Sequence, residues 1–229
     1  MQKGQHIMHY NGIIFDFNGT LFFDTDLHVQ AWDQISFELT GKHLTKQDLL
    51  TKYWGLPNAD LIHAITNHTL TDTECMEISR KKEALYRSIA KSDRNSVLAP
   101  GAIDFFIYLN QHNIPFTIAT ASIKENVDFY IHHFHLDQYM DTNTIVFDDG
   151  NYKSKYQMYQ QAIQNIHNPS HTVIFEDSIN GVLAANHTGS KVIAIQSDEL
   201  KTRLEYIPNL VSTIHDFQNI THLLDNLSD

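Results

Sequence analysis

The sequence has a single cysteine, few basic residues and no long apolar segment. Cys75 is the only cysteine among the 229 residues, which excludes an internal disulfide and fits a reducing compartment. Lysine and arginine number 16 against 27 aspartates and glutamates, and a net charge of −11 argues against a nucleic-acid-binding surface. No stretch approaches the roughly 20 apolar residues of a membrane-spanning helix, and residues 1–12 are too polar for a secretory signal. We therefore expect a cytoplasmic protein with no nucleic-acid or membrane partner.

Hydrophobic residues make up 42% of the chain, enough for a sizeable core, and many of them recur in short runs. Five runs predict buried parallel strands, at residues 12–17, 115–120, 144–147, 172–175 and 191–195. Helical patterns occupy residues 101–112, 124–134, 155–166 and 179–187. Strands and helices that alternate in this way predict an α/β fold with a doubly wound, Rossmann-like parallel sheet.

Residues 24–95 interrupt this alternation. They contain helical patterns only, at residues 27–39, 58–68 and 73–90, and strands resume only after the Pro100-Gly101 turn. A helical block inserted directly after the first strand predicts a second domain. We expect a core domain of residues 1–23 and 96–229, with an inserted α-helical cap domain of residues 24–95 that closes over the site.

Two of the predicted strands end in carboxylates. In the segment Ile-Ile-Phe-Asp-Phe-Asn-Gly-Thr-Leu, which begins at residue 13, an apolar run leads into Asp16 and then into a sharp turn at Gly19. A second run ends in Glu176 and Asp177. Adjacent acids at a strand end cannot both be buried without a cation, and an all-oxygen site suits Mg²⁺. Taken alone, the Glu-Asp pair could instead lie exposed in a loop and cap the following helix.

A third strand end carries hydroxyl groups rather than acids. The segment Phe-Thr-Ile-Ala-Thr-Ala-Ser ends in Thr120, Ala121 and Ser122, directly before a predicted helix. Hydroxyls and backbone N–H groups at a helix start can hold an anion, although Ser122 could simply cap the helix. A phosphoryl group among carboxylates needs a further cation. Lys153 or Lys155 could supply it, unless both are ordinary exposed lysines.

These elements together resemble the motifs of the haloacid dehalogenase (HAD) superfamily. The four motifs correspond in order to Asp16 with Asn18, to Thr120, to Lys153, and to Glu176 with Asp177. The resemblance is closest to the β-phosphoglucomutase and phosphatase-like branch, whose helical cap follows the first motif. His28, Ala31 and Trp32 reproduce the His-x-x-Ala-Trp that opens that cap, and Gly55 with Asn58 resembles its substrate-specificity turn.

The third motif departs from the family pattern, Gly-Lys-Pro-x-Pro-Asp-Ile-Tyr. When residues 150–159 are aligned with that pattern, Lys153 is the favoured cation. Ser154 and Tyr156 take the places of the two prolines, so Lys155 remains an alternative.

The resemblance implies a Mg²⁺-dependent hydrolase in which Asp16 attacks a phosphoryl group and forms an aspartyl-phosphate. It implies that Asp16, Asp177, Glu176 and the backbone carbonyl of Asn18 bind the metal. It assigns catalysis to Asp16, Asn18 and Lys153. It also implies that Thr120, Ala121 and Ser122 of the core, and His28, Gly55 and Asn58 of the cap, contact the phosphate and the substrate.

Asn18 stands where the family carries a second aspartate, which protonates the leaving oxygen and then deprotonates water. An amide can do neither. The leaving group could need little protonation, or another residue such as His28 could substitute. Alternatively, the chain could hydrolyse C–P bonds like the family's phosphonatases, or bind a phosphometabolite without turnover. A sugar-phosphate mutase is disfavoured, because Asn58 replaces the arginine that holds a second phosphate. The favoured function is a phosphatase of a small phosphorylated metabolite, acting as a monomer or weak homo-oligomer.

Overall fold

The computed structural model describes residues 10–53, 55–197, 200 and 207–225. The chain divides into two compact units. The core unit comprises residues 1–23 and 97–229, and the helical unit comprises Asp24–Ser96. Most of the polar amino-terminal segment noted above lies outside the described residues. No described helix is long and apolar enough to cross a membrane.

The core unit contains a six-stranded parallel sheet, which confirms the predicted fold class. Its strands are β1 (Gly12–Phe15), β2 (Phe116–Ile123), β3 (Val146–Asp148), β4 (Thr172–Glu176), β5 (Lys191–Ile195) and β6 (Leu210–Ile214). The strand order is β3-β2-β1-β4-β5-β6, so the chain reverses its direction across the sheet at β1. In open α/β sheets, ligands bind beyond the carboxyl ends of the strands at such a point.

The described helices, numbered along the chain, are α1 (Thr25–Thr40), α2 (Lys46–Asp48), α3 (Asn58–Ile65), α4 (Asp72–Ser92), α5 (Ala102–Gln111), α6 (Lys124–Phe134), α7 (Lys155–Asn165), α8 (Ile179–His187) and α9 (Ile220–Asp225). The first four belong to the helical unit, together with a π-helical turn at Leu49–Tyr53. No strand occurs among the described residues of that unit. The longest helix, α4, begins with a capping box, in which the Thr71 side chain and Glu74 each bond the other's backbone N–H.

An aromatic cluster fixes the end of β1 directly before Asp16. Phe15 is fully buried and stacks on Phe175 of β4 at a centroid distance of 5.1 Å. Phe105 and Phe106 of α5 meet the Phe15 ring edge-on at 5.8 and 5.5 Å. Because such packing resists displacement, the residue that follows Phe15 is held in a defined position.

Two details of the sheet differ from the prediction. Strand β2 continues past Thr120 to Ile123, with a register shift against β3 between Ala119 and Ile123. Strand β6 was not predicted, because it is only partly buried and mixes Ser212 and Thr213 with apolar residues. A sequence of this kind lacks the continuous apolar run that identified the other strands.

Candidate active site

Three carboxylates converge at the carboxyl ends of β1 and β4. The two strands pair in parallel with Phe15 opposite Phe175, so Asp16 and Glu176 leave the sheet side by side. One oxygen each from Asp16, Glu176 and Asp177 lies within 4.8 Å of the others. Asp16 and Glu176 are buried, and Asp177 is partly buried. The structure thus brings together the three acids that the sequence singled out.

Glycines allow two of these carboxylates to approach the backbone closely. Gly19 has a φ of +76°, and a Cβ atom there would lie 2.1 Å from Oδ2 of Asp177. At Gly181 in α8, a Cβ atom would lie 1.6 Å from Oε1 of Glu176. No other residue type could occupy either position without displacing a carboxylate of the cluster.

Among the residues that the structure describes, Lys155 is the cation that contacts the cluster. Its Nζ lies 2.8 Å from Oδ1 of Asp16 and 2.6 Å from Oε1 of Glu176. Lys153, which the sequence alignment favoured, is exposed, and its backbone N–H donates to Oε1 of Gln157. The alignment assumed the family's proline-containing segment. In this chain α7 begins at Lys155 itself, so the contact is made two residues later than the alignment placed it.

Burial and neighbouring charges shift the pKa values of Asp16 and Lys155. Removal from solvent raises the pKa of Asp16 to about 7; Lys155 acts to lower it, and Glu176 raises it further. Burial alone would lower the pKa of Lys155, but the adjacent Asp16 and Glu176 carboxylates outweigh it and hold that pKa well above its usual value. The carboxylates still outnumber the ammonium group. A further cation would therefore stabilise their ionised forms.

Glu176 joins the cluster to the start of α8. Its Oε1 accepts hydrogen bonds from Lys155 at 2.6 Å and from the Ser178 hydroxyl at 2.7 Å, and its Oε2 accepts from the Asp177 N–H at 2.9 Å. Ser178 also caps α8, since its Oγ accepts from the Gly181 N–H. Helix capping and an acidic cluster are thus combined in one segment.

Asn18 lies against β2 and α6. Its Oδ1 accepts from the Ser122 hydroxyl at 2.7 Å and, more weakly, from the Thr120 hydroxyl at 3.4 Å. Its Nδ2 donates to the hydroxyl of Tyr130 at 2.8 Å. Ser122 was expected to hold a phosphate, but in this structure its hydroxyl hydrogen is directed to the Asn18 amide. The neighbouring Ala121 is exposed.

Sequence reasoning missed two residues near these groups. Thr20 is fully buried, with its Oγ1 3.5 Å from Oδ1 of Asp177. Tyr130 lies on the buried face of α6, which also includes Val127 and Phe134. In the sequence, Tyr130 has the spacing of a residue on the apolar face of a helix. This spacing does not indicate where its hydroxyl points.

In the helical unit, His28 is engaged by other residues of that unit. Its Nδ1 lies 2.9 Å from Nζ of Lys82, and its Nε2 lies 3.2 Å from Oδ2 of Asp24. The His28 ring stacks on Tyr86, whose hydroxyl donates to the same Asp24 carboxylate. Because an ammonium group can only donate, Nδ1 accepts and Nε2 carries the proton. Both ring nitrogens of His28 thus have partners within the helical unit, and its role as a substitute acid stays a prediction.

The sequence also singled out Asn58 and Gly55 in the helical unit. Asn58 is hydrogen-bonded to other residues of that unit, whereas Gly55 is exposed. Nδ2 of Asn58 donates to Oε1 of Glu83 at 2.8 Å and to Oγ of Ser79 at 3.0 Å. Glu83 also pairs with the buried Lys82 at 2.8 Å. Gly55 lies in an exposed turn before α3. Asn58 thus belongs to a partly buried polar network within the helical unit.

Comparison with known proteins agrees with this fold. The model of the haloacid dehalogenase-like hydrolase family matches residues 13–195. A crystal structure of an HAD hydrolase of family IA, variant 3, from Entamoeba histolytica is 33% identical, with a TM-score of 0.86 over 94% of this chain and 97% of that one. The chain therefore belongs to the haloacid dehalogenase-like hydrolases, as its motifs indicated.

Two curated relatives carry more specific names. A probable pseudouridine-5'-phosphatase of Saccharomyces cerevisiae is 26% identical over 208 residues, which cover 85% of this chain and 86% of that protein. A phosphorylated carbohydrates phosphatase of Thermotoga maritima is 24% identical over 184 residues, which cover 77% of this chain and 81% of that protein.

Proposed function

We propose that this protein is a phosphatase of small phosphorylated metabolites that uses Asp16 as its nucleophile. The observation that carries the proposal is the position of Asp16. This buried carboxylate follows the central strand β1 at the point where the sheet order reverses, 2.8 Å from Lys155 and beside two further acids. A carboxylate in such a place is a suitable nucleophile for covalent catalysis.

In the proposed reaction, a carboxylate oxygen of Asp16 forms a bond to phosphorus while the bond from phosphorus to the ester oxygen breaks. The leaving oxygen takes its proton from solvent, because the Asn18 amide is too weak an acid to transfer one. Water then attacks the aspartyl-phosphate, which releases inorganic phosphate and restores the carboxylate. Lys155 orients Asp16 and offsets the negative charge that collects around the phosphoryl oxygens.

The donor set fits a magnesium ion. The cluster offers only carboxylate oxygens, the ligands that hard divalent cations prefer, and Gly19 leaves room for Asp177 beside the turn. Asp16, Glu176, Asp177 and the backbone carbonyl of Asn18 would hold the ion. When bound, Mg²⁺ would neutralise charge on the phosphate and on the carboxylates.

The names of the relatives support a substrate class. The two curated relatives described above are named as a probable pseudouridine-5'-phosphatase and a phosphorylated carbohydrates phosphatase, which supports a nucleotide or sugar monophosphate here. We assign contacts with the organic part of the substrate to the helical unit, with His28, Gly55 and Asn58 as candidates. Asn58 supplies no positive charge for a second phosphate, because its amide is neutral, and its Nδ2 donates to the Glu83 carboxylate.

A substrate panel with and without Mg²⁺ tests the proposal. We expect hydrolysis of nucleoside and sugar monophosphates with Mg²⁺, and its loss when EDTA removes the metal. Asp177→Asn should raise the Mg²⁺ concentration needed for half-maximal activity by about 10–100-fold, because it removes one charged oxygen ligand. Phosphate release measured against Mg²⁺ concentration gives both results. Turnover of phosphonates alone, or of no ester, would contradict the proposed function.

A matched pair of lysine variants tests the role of Lys155. Lys155→Met should lower kcat by about 10²–10³-fold, since it removes a charge that offsets the developing negative charge. Its melting temperature should also fall, because Asp16 and Glu176 lose their common partner, and added Mg²⁺ should restore part of the loss. Lys153→Met, two residues away and exposed, should change neither quantity. Equal effects of the two substitutions on kcat would contradict the specific role that is proposed for Lys155.

A further inference from the structure

Tyr130 is a buried tyrosine of the core unit whose hydroxyl contacts Asn18. It is 1% exposed, and its ring stacks on Phe17 at a centroid distance of 4.2 Å and an interplanar angle of 17°. Phe17 stands between Asp16 and Asn18 in the chain, so this stacking fixes Tyr130 relative to the loop after β1. The hydroxyl thereby comes within 2.8 Å of Nδ2 of Asn18.

Asn18, Ser122 and Tyr130 form a closed ring of hydrogen bonds. The Ser122 hydroxyl donates to Oδ1 of Asn18 at 2.7 Å, and Nδ2 of Asn18 donates to the Tyr130 hydroxyl at 2.8 Å. The two hydroxyls lie 3.3 Å apart. Either hydroxyl can donate in this third contact. Donors that follow one another in a ring polarise each other and hold the amide more firmly than separate bonds would.

We propose that Tyr130 is a positioning residue of the active site, which fixes the side chain of residue 18 through this ring. The inference rests on the proposed phosphatase function, in which residue 18 adjoins the nucleophile. Without the phenolic hydroxyl, the Asn18 amide loses the hydrogen bond from its Nδ2 to Tyr130 and turns more freely about its side-chain bonds. The Ser122 hydroxyl then loses a fixed acceptor as well. Both changes disorder the side chains around the phosphoryl group.

The first test compares Tyr130→Phe with Tyr10→Phe. Tyr130→Phe keeps the ring that stacks on Phe17 and removes only the oxygen. Tyr10 is also a buried tyrosine of the core unit, but it lies before the amino end of β1, away from the site. With p-nitrophenyl phosphate, Tyr130→Phe should lower kcat by roughly 2–10-fold, the size expected for one lost hydrogen bond, with little change in KM. Tyr10→Phe should leave both constants unchanged. An unchanged kcat in Tyr130→Phe would overturn the inference.

A double substitution separates positioning from simple packing. In the Asn18→Ala background the ring is already broken, so adding Tyr130→Phe should have no further effect on kcat. If Tyr130→Phe lowers kcat equally in both backgrounds, Tyr130 acts independently of Asn18 and the inference is wrong.

An NMR measurement tests the inference without relying on enzymatic turnover. The side-chain amide protons of Asn18, identified by NMR through their loss in Asn18→Asp, should exchange slowly with solvent in the wild type and faster in Tyr130→Phe. Tyr10→Phe should leave their shifts and exchange rates unchanged. Unchanged amide signals in Tyr130→Phe would overturn the inference even in an active enzyme. If the wild type hydrolysed no ester, the proposed phosphatase function would fail, while these signals would still decide whether Tyr130 holds Asn18.

Discussion

Asp16→Asn is expected to abolish hydrolysis of every phosphate ester, with kcat reduced by about 10⁴-fold or more, as when a covalent nucleophile is lost. The amide cannot form the acyl-phosphate, whereas the other members of the site remain in place. The exposed Asp104 on α5 offers a matched control, and Asp104→Asn should keep full activity. Steady-state kinetics of both variants, with circular dichroism as a check on folding, measure the effect.

Chemical trapping distinguishes a nucleophilic Asp16 from one that only binds the metal. Rapid acid quenching of the wild type during turnover of a labelled substrate should leave phosphate on the peptide that contains Asp16. No label should remain on Asp16→Asn. Label on another residue, or substantial activity in Asp16→Asn, would contradict the proposed mechanism.

Asn18→Asp is expected to accelerate hydrolysis of sugar and alkyl phosphates by about 10²–10⁴-fold, the usual contribution of a general acid. The ring around residue 18 can accept the change. Ser122 still donates to the new carboxylate, and the Tyr130 hydroxyl can turn to donate as well. Aryl and acyl phosphates should gain much less, because their leaving oxygens need little protonation.

The ratio of kcat/KM values for alkyl and aryl esters, measured in the wild type and in Asn18→Asp, tests this expectation. Asn180→Asp, at an exposed position on α8, adds the same charge without entering the ring and should leave the ratio unchanged. An Asn18→Asp variant that is no faster on alkyl phosphates would give the amide a role of its own. C–P hydrolysis or binding without turnover would then replace the phosphatase interpretation.

Much of the fold was predictable because the central strands of the sheet are buried. Strands β4 and β5 contain the apolar runs of residues 173–175 and 192–195, and their positions follow directly from the sequence. Strand β6 carries no comparable run and could not be recognised. The acids of the site were predictable for the same reason, since Asp16 and Glu176 interrupt apolar runs at the strand ends.

The remaining parts of the site depend on the direction in which side chains point. The periodic pattern of apolar residues in the sequence does not determine this direction. Lys153 precedes α7 and Lys155 is the first residue of that helix, and only the position at which the helix starts decides which of the two contacts Asp16. Tyr130 has the spacing of an ordinary core residue. Its partnership with Asn18 arises from tertiary packing between α6 and the loop after β1.

The hydrogen bonds around Asn18 also bear on the chemical lifetime of this residue. An Asn-Gly pair deamidates when the glycine nitrogen attacks the side-chain carbonyl and closes a succinimide, which opens to aspartate or isoaspartate. In the folded protein the Gly19 N–H is bound to the carbonyl of Phe22 at 2.7 Å, and the Asn18 side chain is held by Ser122 and Tyr130. In the native fold both reacting groups are therefore held by hydrogen bonds, and unfolding breaks these bonds. Residue 18 should deamidate mainly in unfolded protein, so the mass of the peptide that contains it would show how much of a sample has been unfolded.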